Sequence, residues 1–263
     1  MSNFVRAGPT PDLLIEGGVV IVNTQMRETP SRPPVSPSIE GDLDSYLDTT
    51  TDATAVFRSA VDVYLQNGAV GACWHQAKLI TEHLRTLEDL QARIETGGSS
   101  VSALGRPFPA MAELTIGVTR LLKDMRRQIT AFAIEAGFSN PGRRVPSHLL
   151  LDMQELSDQV CATVGALVDS YRPSTRWWEQ GSAGGTKRYV SRYESQADRL
   201  STQLIKKIFA DGTLNLEVQL PLAQLVEEID RLADHAESID RNVRTGKRGG
   251  RASAGNRRRR HSR

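Results

Sequence analysis

Apolar residues recur along most of this chain at spacings of three and four, which is the period of an amphipathic α-helix. The pattern is most regular in Leu222–Val243, where the apolar positions form one continuous stripe. The preceding segment, Tyr193–Phe209, has the same period, and only a short connection containing Gly212 separates the two. A connection of this length between two helical segments predicts a pair of neighbouring antiparallel helices.

The same period predicts four more helices earlier in the chain, separated by segments rich in Gly, Pro and Ser. Their predicted ranges are Leu43 or Asp52 to Gln66, Val70–Glu95, Pro109–Ala136, and Ser147–Tyr171 with Ser147 as the N-cap. Alternating strand patterns are scarce and only 5% of the residues are aromatic, which favours an all-α protein. The connection at residues 139–146, SNPGRRVP, is the clearest boundary within the chain.

We therefore expect an all-α fold of two antiparallel three-helix bundles in tandem. The first bundle is predicted at residues 41–138 and the second at residues 146–243. Residues 1–40 are rich in Pro and are predicted to be mostly disordered, although the apolar run Leu13–Val22 could form a hairpin or dock on a partner. Residues 244–263 are predicted to form a disordered basic tail.

The last two predicted helices carry acidic residues along one edge of their apolar stripes. Glu194 and Asp198 lie four residues apart on the first of these helices, and Asp230 and Asp234 lie four residues apart on the second. Glu237 continues the edge of the second helix. The two pairs are mirrored about position 214, so in an antiparallel hairpin the four carboxylates face each other about 24 Å from the turn.

Partly covered carboxylates at one level are costly unless a cation is present, so this arrangement predicts a metal site. Oxygen ligands without thiolate favour Mg²⁺, Mn²⁺ or iron over a closed zinc site. His235 falls about 100° away from the acidic edge on an ideal helix, so we do not expect it to bind the same ion. An ordinary solvated acidic face is the alternative that the sequence leaves open.

The two halves of the chain show a weak internal repeat. Residues 73–84 align with residues 193–204 at an offset of 120, and residues 118–126 align with residues 229–237 at an offset of 111. These alignments place Trp74, Lys78, Thr119 and Lys123 at the positions of the four carboxylates. Because lysines replace oxygen ligands, we expect no metal site in the first half, and we expect Lys78 and Lys123 to meet across the second and third helices.

The formal net charge of +2 hides an uneven distribution of charge. Residues 244–263 contain nine Arg and Lys residues and no acid, which leaves residues 1–243 with a formal charge of −7. Such a tail is predicted to contact anionic lipid or nucleic acid. The sequence has no apolar run as long as a membrane span and no signal-peptide pattern, so we expect a cytoplasmic protein that can associate with the inner face of the cell membrane.

Sequence motifs of the common enzyme classes are absent. There is no Gly-rich phosphate loop after a strand, no G-x-S-x-G and no H-E-x-x-H. Cys73 and Cys161 stand alone in predicted helices, which favours reduced thiols over a disulfide or a zinc site. These absences favour a regulatory or accessory protein over an enzyme.

Residues 190–243 resemble a known family. The segments ESQADRL, QLIKKIFADGTL and LVEEIDRLADHAESI are similar to the second repeat of PhoU-related proteins, in particular the branch of accessory proteins of Pit-type inorganic phosphate transporters. The resemblance implies paired three-helix bundles whose E/D-x-x-x-D motifs hold metal ions at the surface. In this sequence the motif matches Glu194-x-x-x-Asp198 and Asp230-x-x-x-Asp234.

The resemblance further implies a homo-oligomer that regulates inorganic phosphate uptake by contacting a Pit-type transporter at the cytosolic face of the membrane. Two other functions are left open by the residues alone. One is a basic-tailed, nucleic-acid-associated helical dimer. The other is a carboxylate-bridged metalloenzyme, which the lack of Glu-x-x-His ligands disfavours.

Overall fold

The computed structural model describes residues 37–68, 71–102, 108–134, 145–176 and 189–259 of the chain. These residues form six long helices and a 3₁₀ turn at Pro173–Thr175. The helices are α1 (Pro37–Asn67), α2 (Gly71–Ser102), α3 (Phe108–Ile134), α4 (Ser147–Ser170), α5 (Tyr189–Ala210) and α6 (Leu216–Arg259). No strand occurs within these ranges, so the predicted all-α fold is confirmed. The predictions made for residues 1–36 and 139–144 lie outside the described residues.

The helices form two groups of three, α1–α3 and α4–α6, in which consecutive helices pack against each other. Helix α1 also packs against α4, and α3 packs against α6. One continuous apolar core is therefore shared by both groups, and Tyr46, Phe57 and Leu121 are among its completely buried side chains. None of the described helices is both long and apolar enough to cross a lipid bilayer.

Helices α1 and α2 are longer than the sequence pattern predicts. Helix α1 begins at Pro37, so residues 37–40 are helical, and α2 continues past the predicted end at Glu95 through Gly97 to Ser102. A Cβ atom added at Gly97 would lie 3.1 Å from Cγ1 of the buried Ile39, so the glycine allows α1 to approach α2 closely. Tertiary packing of this kind compensates for the low helix propensity of glycine.

The first residues of α4 and α6 differ from the predicted ones. The N-cap of α4 is Pro146 without a side-chain cap, so Ser147 is the first helical residue rather than the N-cap. Helix α6 begins at Leu216, before the predicted Leu222, because Asn215 Oδ1 accepts a hydrogen bond from Val218 N at 3.1 Å. The predicted short connection between α5 and α6 is present at residues 211–215.

The sequence pattern predicted that the last helix ends at Val243. Helix α6 instead continues to Arg259, through most of the segment predicted to be a disordered basic tail. Asp240 is 5% exposed and accepts hydrogen bonds from the Tyr171 hydroxyl at 2.8 Å and from Arg244 Nε at 2.9 Å. Because Arg244 lies one turn after Asp240, pairing with this buried carboxylate requires helix beyond Val243. This pair accounts for helix as far as Arg244, and the four glycines at positions 246, 249, 250 and 255 disfavour the helix that follows.

Contacts between α3 and α6 support the internal repeat at the 111-residue offset. A Cβ atom at Gly117 would lie 2.8 Å from Ile239 Cγ1, and the Gln128 side-chain amide donates to the carbonyl oxygen of Glu228. The 111-residue offset aligns Gly117 with Glu228 and Gln128 with Ile239. The repeat therefore maps the contact between Gly117 and Ile239 onto the contact between Glu228 and Gln128. An internal twofold relation between the halves has this property.

Candidate metal-binding surface on the last two helices

Two side-chain hydrogen bonds set the register of α5 against α6. Ser191 Oγ donates to Glu237 Oε1 at 3.1 Å, and Ser201 Oγ donates to Asp230 Oδ2 at 2.7 Å. Ser191 and Glu237 are mirrored about position 214, the same point that relates the predicted acidic pairs. The hairpin therefore has the predicted register, and Asp198 lies one turn before Ser201 on the side that faces α6.

The predicted carboxylates act on one another electrostatically. Burial raises the pKa of Asp230, and the charges of Asp234 and Asp198 raise it further, against the hydrogen bond from Ser201. Burial also raises the pKa of Asp234, followed by the charges of Asp198 and Glu237. Like charges on two neighbouring helices thus act on one another across the hairpin.

Glu194, on α5, also belongs to the set of carboxylates that repel one another. Burial raises its pKa, the hydrogen bond from Ser195 opposes that change, and the charges of Glu237, Asp234 and Asp198 raise it again. We define the acidic cluster by its five members, which are Glu194, Asp198, Asp230, Asp234 and Glu237.

Glu237 is the member that was not predicted as a ligand. It lies three residues after Asp234, so it shares the acidic edge, and it bonds to Ser191 across the hairpin. Arg241, one turn later, forms an ion pair with it. The signal in the sequence was its position on the same helix edge, which the E/D-x-x-x-D spacing does not include.

The cluster lies at the protein surface. Asp198 and Asp234 are exposed, whereas Glu194, Asp230 and Glu237 are half-buried. Within the described ranges, no three His, Cys, Asp or Glu side chains converge in positions that could hold a metal ion. The donor atoms suit a hard cation, but coordination would require these side chains to turn toward a common point.

His235 faces away from the acidic cluster, as predicted. Its Nδ1 lies 3.0 Å from Asp124 Oδ2, so this histidine joins α6 to α3. Asp124 is its counterpart at the 111-residue offset. His235 therefore contributes to the contact between the two helix groups.

The first helix group has a different surface at the corresponding place. Lys123 Nζ lies 2.9 Å from Glu88 Oε1, and Thr119 Oγ1 donates to Gln91 Oε1 at 2.6 Å. Lys78 lies ten residues before Glu88 on α2, which is about 15 Å along the helix, so the prediction that Lys78 meets Lys123 is wrong.

Thr119 on α3 lies within hydrogen-bond distance of side chains on both α1 and α2. The buried Tyr46 of α1 donates its hydroxyl hydrogen to the carbonyl oxygen of Thr115 at 2.6 Å, and its oxygen lies 2.9 Å from Thr119 Oγ1. Thr119 in turn bonds to Gln91. The counterparts of the acidic cluster on α2 are thus Glu88 and Gln91 rather than Trp74 and Lys78.

The fold is similar to that of solved helical proteins from Shewanella oneidensis MR-1. One, described as a PhoU-like phosphate regulatory protein, has a TM-score of 0.52 and 14% sequence identity. Another, described as a PhoU-like protein, has a TM-score of 0.58 and 16% identity. Each comparison covers 77% of this chain and 95% of the other. No protein-family model and no curated protein sequence matches the chain. The comparisons confirm a PhoU-like helical fold.

Proposed function

We propose that this protein is a non-enzymatic regulator of inorganic phosphate uptake that binds a metal ion at the acidic cluster. It acts at the cytosolic face of the membrane, as a homo-oligomer, on a Pit-type phosphate transporter. The observation that carries the proposal is the acidic cluster across α5 and α6 on a PhoU-like fold. The resemblance of residues 190–243 to transporter accessory proteins supports the choice of partner.

The metal part of the proposal follows from the electrostatics of the cluster. Burial and mutual repulsion oppose the ionised forms of Glu194, Asp230 and Asp234. A cation bound among them would relieve the repulsion and supply the charge that the half-buried oxygens lack. Carboxylate oxygens without thiolate or imidazole suit Mg²⁺, Mn²⁺ or iron.

The environment of Cys161 disfavours one enzyme class, namely enzymes that use this residue as a thiolate nucleophile. Cys161 and Cys73 are both free. Burial raises the pKa of the Cys161 thiol to about 12, and the charge of Asp158 contributes to the change. Cys161 is therefore a neutral thiol at physiological pH and lacks the thiolate character of a catalytic nucleophile.

Thermal unfolding in the presence of metal tests the site. Adding Mg²⁺, Mn²⁺ or Fe²⁺ to the metal-free protein should raise its melting temperature, with a stabilisation of about 2.7 kcal/mol when the free ion is 100-fold above its dissociation constant. The Asp230→Asn/Asp234→Asn variant should lose this response. It should also be more stable than the wild type without metal, because it removes repulsion and keeps the shape of both side chains.

A matched control removes two negative charges elsewhere. Glu82 and Asp89 are exposed on α2 in the other helix group. The Glu82→Gln/Asp89→Asn variant should keep the full response to metal. If the wild type shows no metal-dependent change in melting temperature, or if both double variants respond equally, the cluster is an ordinary acidic surface.

The partner is tested separately in cells. Phosphate uptake should change when the chain is deleted in a strain that expresses a Pit-type transporter, and the transporter should co-purify with the wild-type chain. The Asp230→Asn/Asp234→Asn variant should fail to restore normal uptake. Unchanged uptake together with binding of duplex DNA would favour the alternative of a nucleic-acid-associated protein.

A further inference from the structure

A cavity of about 450 Å³ lies between α1, α3 and residues 221–231 of α6. It lies on the α3 side of α6, whereas the acidic cluster lies on the α5 side. Tyr64, Phe132 and Leu225 supply its apolar lining, and the rings of Tyr64 and Phe132 are stacked with their centroids 4.5 Å apart. The volume is within the range of small-molecule sites, which is roughly 300–1,000 Å³.

The rim of the cavity carries two guanidinium groups, each beside one carboxylate. Arg127 and Arg231 both line it, and more than half of each side chain is exposed. Arg231 Nη1 lies 2.9 Å from Glu228 Oε1, whereas Arg127 Nη2 lies 3.6 Å from Asp124 Oδ1, beyond ordinary hydrogen-bond distance. Because both arginine side chains are mostly exposed, these ion pairs are weak, and an anion that bridges the two guanidinium groups can compete with Asp124 and Glu228.

The side-chain amide of Gln128, which lines the same cavity, has one paired and one unpaired polar atom. It is 5% exposed, and its side-chain amide donates to the carbonyl oxygen of Glu228. Its Oε1 is buried without a hydrogen-bond partner among the described residues. An unpaired buried acceptor costs about 1–3 kcal/mol, so a ligand that donates a hydrogen bond is favoured there. The covered oxygen can meet such a donor after the carboxamide turns toward the cavity.

The internal repeat shows that this end of the α3–α6 contact differs from the other. At the other end, Ile239 fills the place of Gln128 and packs tightly on Gly117, which fills the place of Glu228. An apolar contact therefore closes one end. The end beside the cavity instead has the polar pair of Gln128 and Glu228, in which Gln128 Oε1 is unpaired.

From these observations we infer that the cavity binds a small organic anion that combines a flat ring, a hydrogen-bond donor and a phosphate or carboxylate group. The ring lies on the apolar lining formed by Phe132 and Leu225. The anionic group lies between Arg127 and Arg231, and the donor bonds to Gln128 Oε1. Nucleoside monophosphates and aromatic aminocarboxylates share this chemistry.

Calorimetric titration of the full chain tests the inference with three probes, namely AMP, 4-aminobenzoate and inorganic phosphate. A ring-bearing anion should bind at one site. Inorganic phosphate should bind at least about tenfold more weakly, because it has no ring. Tighter binding of AMP would identify the nucleotide source, and tighter binding of 4-aminobenzoate the aminocarboxylate source. If neither binds, or if inorganic phosphate binds as tightly as both, the inference is wrong.

Substitutions of residues that line the cavity test whether binding occurs there. Arg127→Gln/Arg231→Gln should weaken binding about tenfold or more, whereas Arg85→Gln/Arg126→Gln, which makes the same charge change on other exposed positions, should leave it unchanged. Ala131 lines the cavity and is exposed, so Ala131→Phe should fill the space and abolish binding without lowering the melting temperature. Wild-type affinity in the filled variant would place any binding elsewhere and refute the inference.

Discussion

Replacing Gly117 by Ala tests the close contact between the two helix groups. A Cβ atom at this position would lie 2.8 Å from Cγ1 and 3.1 Å from Cγ2 of Ile239 on α6. Real Cβ atoms do not approach other heavy atoms to 2.8 Å, so α3 and α6 must move apart or Ile239 must leave its position. Overpacking of this kind costs about 1–3 kcal/mol. The substitution also removes a glycine from a helix, which stabilises by about 1 kcal/mol.

The matched control is Gly165→Ala on α4. It makes the same chemical change inside a helix, and a Cβ atom there meets nothing within 4 Å. Both variants gain helix propensity, so the difference between them reports the packing cost at Gly117. We expect the free energy of unfolding of Gly117→Ala to be lower than that of Gly165→Ala by about 1–3 kcal/mol. At roughly 2–4 °C per kcal/mol for a chain of this size, the difference is measurable by thermal unfolding.

A double-variant cycle with Ile239→Ala identifies the partner. Ile239→Ala alone should cost about 2–5 kcal/mol, because it removes a buried side chain from the core. In that background Gly117→Ala should stabilise the protein, since the clash is gone and the added methyl fills part of the space. If Gly117→Ala stabilises the wild type as much as Gly165→Ala does, the close contact of α3 with α6 is refuted.

Three further predictions concern the charged surfaces. Burial and repulsion raise the folded-state pKa of Glu194, Asp230 and Asp234, so their stabilising contribution is present below the ordinary carboxyl pKa and lost as the pH rises through the raised values. The melting temperature of the metal-free wild type should therefore fall relative to the double Asn variant as the pH rises above the ordinary carboxyl pKa of about 4, and parallel profiles would contradict this. Replacing both Lys78 and Lys123 by Ala should leave the metal response intact. The effects of the two single substitutions on stability should be additive, because Lys123 contacts Glu88 and not Lys78. Non-additive effects in calorimetry would contradict the observed register. A chain that ends at Thr245 keeps the pair between α6 residues 240 and 244 and should lose salt-sensitive binding to anionic vesicles and duplex DNA; unchanged binding at low salt would assign the basic segment another role.

The sequence alone determined the helical class, the approximate position of each long helix and the acidic edge of the last hairpin. These features depend on residues three or four positions apart, whose relation is set by the geometry of a single helix. The register of α5 and α6 was also predictable, because the connection between them is short. Ser191 and Glu237 show the same mirror relation as the predicted acidic pairs.

Only the tertiary structure decided the features that depend on contacts between distant segments. Packing of Ile39 on Gly97 carries α2 past its glycines, and the buried Asp240 holds α6 helical beyond Val243. The α2–α3 register brings Thr119 to Gln91 and Lys123 to Glu88, which a gapless alignment of the two repeats does not predict. The cavity beside α6 arises where residues from three helices meet, and local periodicity does not specify how their side chains fill the space between them.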